Sequence, residues 1–166
     1  HSLESIIEIA KKLIKLKDII FVFIGEGEKK SSLKKSVKDF SLTNCLFLPW
    51  QDKNNLQFSL ASANLGVVSL NKETANLSVP SKTYNLMAAG IPILSIAPNK
   101  SELAELIEKY GNGVCFSEDN VDLISEFILE LKENNVLQKK LKEKSLFASN
   151  KFHYSNAKKY LEKIYN

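Results

Sequence analysis

The segment DIIFVFIG, residues 18–25, decides the fold because the spacing of apolar side chains changes there. The preceding residues 3–17 repeat apolar side chains at the 3.6-residue period of an amphipathic helix. The segment itself is a continuous β-branched and aromatic run that ends at a glycine, which is typical of a strand covered on both faces. The two patterns together predict a helix that leads into a buried strand.

The same alternation of helix and strand continues to residue 117. Periodic segments predict helices at 29–39, 53–63, 81–89 and 101–110, and apolar runs predict strands at 45–50, 65–70, 91–97 and 113–117. Residues 119–165 predict a tail of three helical segments with a break near 149–155. Because right-handed crossovers between parallel strands need a helix that packs back on the sheet, the predicted fold is α/β. It is a Rossmann-like doubly wound parallel sheet with helices on both faces and a helical C-terminal tail.

The length of 166 residues predicts a single domain that covers residues 1–166. The chain opens with a predicted helix, whereas a Rossmann-like sheet has its first strand at the centre. We therefore expect that strand to lie before residue 1, and the chain to be part of a longer protein.

Composition narrows the class of protein. Apolar residues make up 44% and charged residues 25% of the chain, which is typical of a globular protein. No apolar run approaches the roughly 20 residues that span a bilayer, and the sequence carries no signal peptide pattern. The two cysteines, Cys45 and Cys115, lack the spacing of a metal or redox motif and are predicted to be buried reduced thiols.

All 23 basic residues are lysine, and the net charge is +4. The absence of arginine, the commonest tool for bidentate base recognition, argues against nucleic acid as a partner. Many of the lysines fall on predicted helix faces. These faces are either ordinary solvated surfaces or weak attractors for an anionic membrane surface or a polyanionic substrate.

Ligands of doubly wound sheets bind at the carboxyl ends of the strands. In this chain, two glycines follow the first predicted strand. Gly25 and Gly27 lack the third glycine of a dinucleotide fingerprint, since Lys30 stands there. They predict either a tight turn or a close approach of a ligand to the backbone. After the next strand, Trp50 offers a flat surface that either packs in the core or in a loop, or faces a nucleobase. Asp52 is a predicted helix cap.

The segment VPSKTYNLMAAG, residues 79–90, places polar residues at the start of a predicted helix. Pro80 fixes the backbone ahead of the helix and Ser81 is a predicted cap, so free first-turn amides lie beside the charge of Lys82. This combination suits a diphosphate, although Lys82 is equally read as a solvated first-turn residue. Gly90 is the predicted left-handed stop of the helix.

Taken in order, four segments resemble the C-terminal, donor-binding half of a GT-B glycosyltransferase, most closely a family 4 (group 1) enzyme. They are FVFIGEGEKKSSLKK, NCLFLPWQDKNNLQFSLASANLGVVSL, VPSKTYNLMAAGIPILS and GNGVCF. The third is similar to a P-S-K-x-Y variant found in enzymes that build bacterial O-antigens and capsules.

The resemblance implies a donor nucleotide-sugar site made by three loops. Its residues are Gly25, Gly27, Pro49, Trp50, Pro80, Ser81, Lys82, Tyr84 and Asn85. Pro49 and Trp50 take the position of the nucleobase loop, and the residues from Pro80 to Asn85 that of the ribose and diphosphate helix. Two glutamates of many relatives correspond here to Leu77 and Asn85. Asn85 can still hydrogen-bond a ribose hydroxyl, whereas Leu77 cannot bind a sugar hydroxyl.

By the same resemblance, the chain is expected to bind a nucleotide-diphosphate sugar, with a UDP-sugar as the main expectation. The glycosyl group, of hexosyl or N-acetylhexosaminyl type, would pass with retention to a glycan or lipid-linked acceptor in cell-surface polysaccharide biosynthesis. No metal or other cofactor is expected, and no catalytic residue is predicted within the chain. His1 and His153 are both predicted to be non-catalytic.

The resemblance also implies that the acceptor binds an N-terminal domain of the same parent chain, so that this part alone is inactive. The expected location is the cytoplasm, with peripheral contact at the inner face of the cell membrane. Two alternatives remain open at this stage. One is a related GT-B sugar-nucleotide epimerase, and the other is a non-enzymatic α/β interaction module with basic helix faces.

Overall fold

A computed structural model describes residues 2–70, 75 and 79–152. The helices are α1 (Ser2–Lys12), α2 (Lys30–Asp39), α3 (Lys53–Ala61), α4 (Ser81–Ala88), α5 (Glu102–Tyr110), α6 (Val121–Glu133) and α7 (Asn135–Ser149). The strands are β1 (Phe21–Ile24), β2 (Cys45–Leu48), β3 (Gly66–Ser69), β4 (Ile93–Ile96) and β5 (Gly113–Phe116). A short 3-10 turn, Asn150–Phe152, follows α7.

The predicted order of helices and strands is confirmed, with one helix shorter than expected. The helix predicted at 3–17 ends at Lys12 and continues as turns, one of them closed by a 3.0 Å bond from the Leu16 amide to the Leu13 carbonyl. Leu13 is still buried, so the apolar period runs past the end of the regular helix. The third predicted tail segment, His1 and His153 lie outside the described residues.

Every strand pairing is parallel, which confirms the α/β class, but the described strands form two sheets instead of one. One sheet has the order β2–β1, and the other has the order β3–β4–β5. Phe21 pairs with Cys45 in the first sheet, and Ile93 pairs with both Gly66 and Gly113 in the second. Among the described strands, β1 and β3 are not hydrogen-bonded to each other.

Helix α1 holds the two sheets together. Its buried Ile6, Ile9 and Leu13 join one core cluster with Leu94 and Ile96 of the second sheet. On its other side, Ile7 and Ala10 pack with Leu33 of α2 and with the first sheet. Buried Asn44, just before β2, donates from Nδ2 to the Ala10 carbonyl at 2.8 Å. A single amphipathic helix therefore bridges both cores.

The two sheets differ in how their faces are covered. All four residues of β4 are buried, as expected for the central strand of a doubly wound sheet. In the first sheet, Phe21 and Phe23 pack against α1 and α2, but Val22, Ile24 and Leu46 remain 46 to 48% exposed. Helices flank both sheets, as predicted, and within the described residues the face of the first sheet that carries Val22, Ile24 and Leu46 is the more open one.

Both cysteines are free and only half-buried, so the prediction of buried thiols is met in part. Burial raises the pKa of the Cys45 thiol above its usual value. The Cys115 thiol lies 3.4 Å from the Ser95 hydroxyl between two neighbouring strands. Neither thiol belongs to a metal or redox motif.

Candidate functional site

The carboxyl ends of the parallel strands carry the loops in which ligands of such sheets bind. The loop after β1 begins at Gly25, the loop after β2 at Pro49, and the loop after β3 leads to α4 at Ser81. The predicted residues therefore all lie at one edge of the two sheets, except Leu77, which is outside the described residues.

Gly25 and Trp50 come together at this edge. Gly25 has φ of +111°, a conformation that favours glycine, and its amide donates to the Leu48 carbonyl at 3.3 Å. A β-carbon on Gly25 would lie 3.4 Å from Cε3 of the Trp50 ring. The loop after β1 thus needs glycine here for its backbone conformation, and a β-carbon would come into van der Waals contact with the indole.

The Trp50 ring is 74% exposed, which is unusual for the largest aromatic side chain. Pro49 is also exposed, and the Asp52 carboxylate caps α3 by accepting from the Asn54 amide at 2.8 Å, as predicted. Packing of Trp50 into a core is therefore excluded. The indole forms an open apolar platform beside a glycine with positive φ.

Lys30 is a residue that sequence reasoning did not select for the site. Its ammonium donates to the Gly25 carbonyl at 2.8 Å and pairs with the Glu26 carboxylate at 2.5 Å, and the side chain is mostly buried. Lys30 is the first residue of α2, and its side chain is thus hydrogen-bonded back to the start of the glycine loop. The available signal was the lysine in place of the third glycine of the fingerprint.

Gly27 differs from Gly25. It does not have a positive φ, and a β-carbon there would meet nothing within 4 Å. The Gly27 carbonyl accepts from the Lys30 amide at 3.0 Å, which closes the turn into α2. Each glycine thus fits one of the two predictions for this loop. Gly25 makes the tight turn, and Gly27 leaves open space in which a ligand could approach the backbone.

The start of α4 differs from prediction in its cap. Pro80, with φ of −58° and ψ of 136°, is the N-cap, and Ser81 is the first helical residue, so the prediction that Ser81 caps the helix is wrong. Proline has no side-chain acceptor for the first-turn amides. The Thr83 amide donates to the Pro80 carbonyl at 2.9 Å. The amides of Ser81 and Lys82, which precede it, are left without a side-chain cap from Pro80.

Three predicted residues share the exposed side of α4. Ser81, Lys82 and Asn85 are all exposed. Asn85 follows Lys82 by three residues and Ser81 by four, the spacings at which side chains share a helix face. Desolvation of the ammonium lowers the pKa of Lys82 below its ordinary value, although the side chain as a whole is exposed. An anion beside Lys82 would offset this desolvation, because it favours the charged form.

Tyr84 lies on another side of the helix. Its ring packs against Phe152 with centroids 4.8 Å apart, and Phe152 in turn contacts Tyr110 at 5.7 Å. Buried Thr83 is fully covered, and its hydroxyl has no hydrogen-bond partner in the described part of the chain. The structure therefore groups Ser81, Lys82 and Asn85 and separates the Tyr84 ring from them.

Close packing fixes the position of α4. A β-carbon on Gly66 of β3 would lie 2.5 Å from Cδ2 of Leu86, so glycine allows the helix to approach the strand. Gly90 ends the helix with φ of +68°, as predicted. From α7, the buried Ser145 hydroxyl donates to the Ile91 carbonyl at 2.8 Å, just after this stop.

A small cavity of about 90 Å³ lies at the same edge, between the ends of β3, β4 and β5. It is lined by Leu70, Ile96, Ala97, Pro98, Ser117, Glu118 and Asp119. This volume is well below the roughly 300 Å³ or more of a small-molecule pocket, so this cavity alone is too small for such a ligand.

The described residues contain no group of three or more His, Cys, Asp or Glu side chains that could hold a metal ion. Within the same residues, no helix is long and apolar enough to span a bilayer. The predicted residues form two clusters, Gly25 with Pro49 and Trp50, and Ser81 with Lys82 and Asn85. The approach of the Trp50 ring to Gly25 joins the first cluster, and no hydrogen bond or ring contact between described residues links it to the second.

Comparison with known proteins gives a consistent result. Residues 2–146 match the family described as Glycosyl transferases group 1. The chain is 34% identical over 107 residues to the probable glycosyltransferase WbjE of Pseudomonas aeruginosa, a match that covers 63% of this chain and 26% of that protein. It is 29% identical over 154 residues to the putative colanic acid biosynthesis glycosyl transferase WcaI of Escherichia coli K12, covering 90% and 38%.

The fold also matches a solved structure, that of S. aureus TarM in complex with fondaparinux, alpha-GlcNAc-glycerol and UDP. The TM-score is 0.78 at 22% sequence identity, and the match covers 96% of this chain and 32% of TarM. This likeness confirms the predicted Rossmann-like fold. The chain therefore spans about a quarter to two fifths of the proteins that it resembles.

Proposed function

This chain belongs to the glycosyl transferases group 1 family, and on that premise we propose that it binds the nucleotide diphosphate of a sugar donor. The observation that carries the proposal is the start of α4. There Pro80, the N-cap, offers no side-chain acceptor to the first-turn amides, and Lys82 adds an ammonium beside them. Helix N-termini of this kind favour negative charge, and a lysine beside the amides adds a mobile cation.

In the proposed complex, the diphosphate lies on the amides of Ser81 and Lys82. The Lys82 ammonium pairs with a phosphate oxygen, and the Asn85 amide hydrogen-bonds a ribose hydroxyl. The lowered pKa of Lys82 supports this role, because a desolvated ammonium gains more from an anionic partner than a fully hydrated one does.

The exposed indole of Trp50 provides the surface for the nucleobase, and Gly25 and Gly27 let the backbone approach the donor. Uracil is our first choice of base, on the strength of the expectation from sequence and of the UDP in the TarM structure. The glycosyl group then passes with retention of configuration to a glycan or lipid-linked acceptor bound elsewhere in the parent protein. The uncapped amides and Lys82 stabilise the departing diphosphate without a metal ion.

The relatives named above point to cell-surface polysaccharide as the product, since WcaI is described as a colanic acid enzyme. A peripheral position at an anionic membrane surface fits the exposed side of α7. Lys139 and Lys140 are exposed there beside Val136 and Phe147, which are 78% and 59% exposed, and the exposed Glu143 lies on the same face. Basic and apolar side chains on one helix face suit an anionic lipid surface.

The test is a titration of UDP followed by amide NMR shifts, without divalent metal, in a sample that includes the residues encoded before α1. We expect the amides of Ser81 and Lys82 and the Trp50 indole N–H to shift. Lys82→Ala should weaken binding about tenfold, or ~1.4 kcal/mol, because it removes one charge-assisted contact.

Lys35→Ala serves as the control, since Lys35 is an exposed lysine on α2 and its loss changes net charge equally. It should leave the affinity within about twofold of the parent. The proposal fails if UDP, GDP and ADP all leave the α4 amides unchanged, or if Lys35→Ala and Lys82→Ala weaken binding equally.

A further inference from the structure

The cavity at the carboxyl edge lies where three neighbouring strands end. The Leu70 amide donates to the Ile96 carbonyl at 3.0 Å, and the Ala97 amide donates to the Phe116 carbonyl at 2.9 Å. These bonds extend the pairing of β3, β4 and β5 to the residues at the cavity. Leu70, Ile96, Ala97 and the following Pro98 line its apolar side. The strand pairing therefore fixes the position of this apolar side.

The loop after β5 lines the polar side of the cavity with Ser117, Glu118 and Asp119. The Asn120 amide donates to the Ser117 carbonyl at 3.1 Å and closes the loop into a turn ahead of α6. The Ser5 hydroxyl of α1 donates to the Glu118 carbonyl at 2.9 Å. Hydrogen bonds within the loop and to α1 thus hold the polar side in place before any ligand arrives.

The side chains of this loop offer acceptors to a ligand. The Ser117 hydroxyl donates its hydrogen to Oδ1 of Asn120 at 2.6 Å, which leaves only its oxygen lone pairs. Ionised carboxylates such as those of Glu118 and Asp119 also only accept. None of the described residues that line the cavity is basic. A group bound here must therefore supply the hydrogen-bond donor, and an anionic group is disfavoured.

The size of the cavity limits its ligand to part of a sugar. One water molecule takes about 30 Å³ in the liquid. A cavity of about 90 Å³ therefore has room for roughly three or four non-hydrogen atoms. A whole pyranose ring with its hydroxyl groups is larger than this, whereas a single substituent of the ring fits.

The cavity adjoins the start of α4. Leu70 and Ala97 pack in the same apolar cluster as Val79 and Tyr84, which lie on either side of Ser81 along the chain. Helix α4 begins at the carboxyl edge because it connects the parallel strands β3 and β4. A diphosphate bound at this helix start, as the proposed function requires, would therefore hold its sugar at the edge where the cavity opens.

We propose that the cavity receives the acetamido group of an N-acetylhexosamine donor, a subsite that rests on the proposed function. The methyl group would lie against Leu70, Ile96 and Ala97, and the amide N–H would donate to the acceptors of the loop after β5. The carbonyl oxygen would stay at the mouth of the cavity, where water can donate to it. An acetamido group has both the apolar end and the donor that the two sides of the cavity require.

Other common sugar substituents match the cavity less well. A hydroxyl group supplies a donor but leaves the apolar side without a contact, and a hydroxymethyl group covers less of that side than an acetamido group does. The carboxylate of a uronic acid supplies no donor and would face Glu118 and Asp119. The donor class that fits is therefore an N-acetylhexosamine, and not a hexose or a uronic acid.

The test compares UDP, UDP-glucose and UDP-N-acetylglucosamine by calorimetry on the full-length protein that contains this chain. UDP-N-acetylglucosamine should bind at least about fivefold more tightly than UDP-glucose, because the acetamido group adds an apolar contact and a hydrogen bond. Methyl NMR locates the contact. The methyl groups of Ile96 and Ala97 should shift with UDP-N-acetylglucosamine well beyond their shifts with UDP-glucose. The methyl groups of Ile7, in the core between α1 and α2, should shift with neither.

A double variant, Glu118→Gln with Asp119→Asn, keeps the shape of the loop and removes its two charges. The advantage of UDP-N-acetylglucosamine over UDP-glucose should fall at least about threefold, while the affinity for UDP stays within about twofold. The matched control is Asp122→Asn with Glu126→Gln, which removes the same charge from two exposed residues of α6. This control should leave the advantage unchanged.

The outcomes distinguish the acetamido subsite from the diphosphate site. If UDP binds and Lys82→Ala weakens it, but UDP-glucose and UDP-N-acetylglucosamine bind equally, the subsite is wrong and the proposed function stands. Equal effects of the double variant and its control would also overturn the subsite, as would unshifted methyl groups of Ile96 and Ala97. If UDP, GDP and ADP all fail to bind, the proposed function fails and the subsite fails with it.

Discussion

The indole of Trp50 lies against the space that a side chain on Gly25 would fill, with Cε3 3.4 Å from the position of a β-carbon. The contact links the loops after two neighbouring parallel strands, and both residues belong to the proposed donor site. Gly25 also has φ of +111°, so the residue that makes the turn after β1 is the one that the Trp50 indole approaches. Stability and binding can therefore be separated by comparing the two glycines of this loop.

Replacing Gly25 with alanine should destabilise the fold by about 1–3 kcal/mol, because any other residue is strained at this positive φ. The midpoint of urea unfolding at constant m-value measures the loss. Gly27→Ala is the control, since it does not have a positive φ and a β-carbon there meets nothing within 4 Å. It should change stability by less than about 0.5 kcal/mol, and an equal loss in both variants would contradict the strain at Gly25.

Gly66→Ala should destabilise the protein by about 1–3 kcal/mol, because the new methyl group would overlap Leu86, now 2.5 Å from that position. Shortening Leu86 to alanine removes the overlap, although it leaves a cavity of its own. In a double-mutant cycle, the pair should therefore cost less than the sum of the single losses by at least about 0.5 kcal/mol. If the losses of the two single variants simply add, α4 can move away from β3 without a cost in stability.

Ser145→Ala should cost about 1–3 kcal/mol, because it leaves the buried Ile91 carbonyl without the donor that now lies at 2.8 Å. The buried Asn112 side chain, whose Nδ2 donates to the Ser145 hydroxyl at 3.3 Å, loses its acceptor in the same variant. Ser149→Ala is the matched control, since Ser149 lies one turn later and donates to Leu146 at an exposed position. A loss at Ser149 as large as that at Ser145 would disprove the role of burial.

Stability should fall in acid partly through Asp18. A hydrogen bond from Lys132 holds the pKa of the Asp18 carboxyl below its usual value, and the two charged groups are 2.9 Å apart. Because the folded pKa is lower than the unfolded one, the contribution is present above the unfolded pKa of about 3.9 and is lost as the pH falls through the folded value. In Asp18→Asn, the free energy of unfolding should therefore fall less steeply as the pH decreases through the acid range.

The check is urea unfolding across that acid range, with Asp122→Asn as the control. Asp122 also pairs with a lysine, Lys12, but its carboxylate is largely open to solvent. If Asp18→Asn does not change how the free energy of unfolding depends on pH in this range, the ion pair of Asp18 with Lys132 of α6 does not contribute to stability.

Local patterns were sufficient for much of the fold. The aromatic and β-branched run at Phe21–Ile24 predicted β1, and the glycine at position 90 predicted the end of α4, because both depend on nearest neighbours in the chain. Asp52 was recognised as a cap for the same reason. Ser81 was not, because Pro80 already takes the cap position and its backbone conformation places Ser81 inside the helix.

The order of strands and helices, the loops at the carboxyl edge and the resemblance to group 1 glycosyltransferases were thus determined by sequence alone, through periodicity and short motifs. Tertiary structure decided which residues meet. It set the Trp50 ring beside Gly25, turned Tyr84 toward Phe152 and recruited Lys30 to the Gly25 carbonyl. Among the described strands, it also left β1 and β3 without hydrogen bonds to each other. Such contacts depend on packing between segments far apart in the chain, and no local pattern of side chains encodes them.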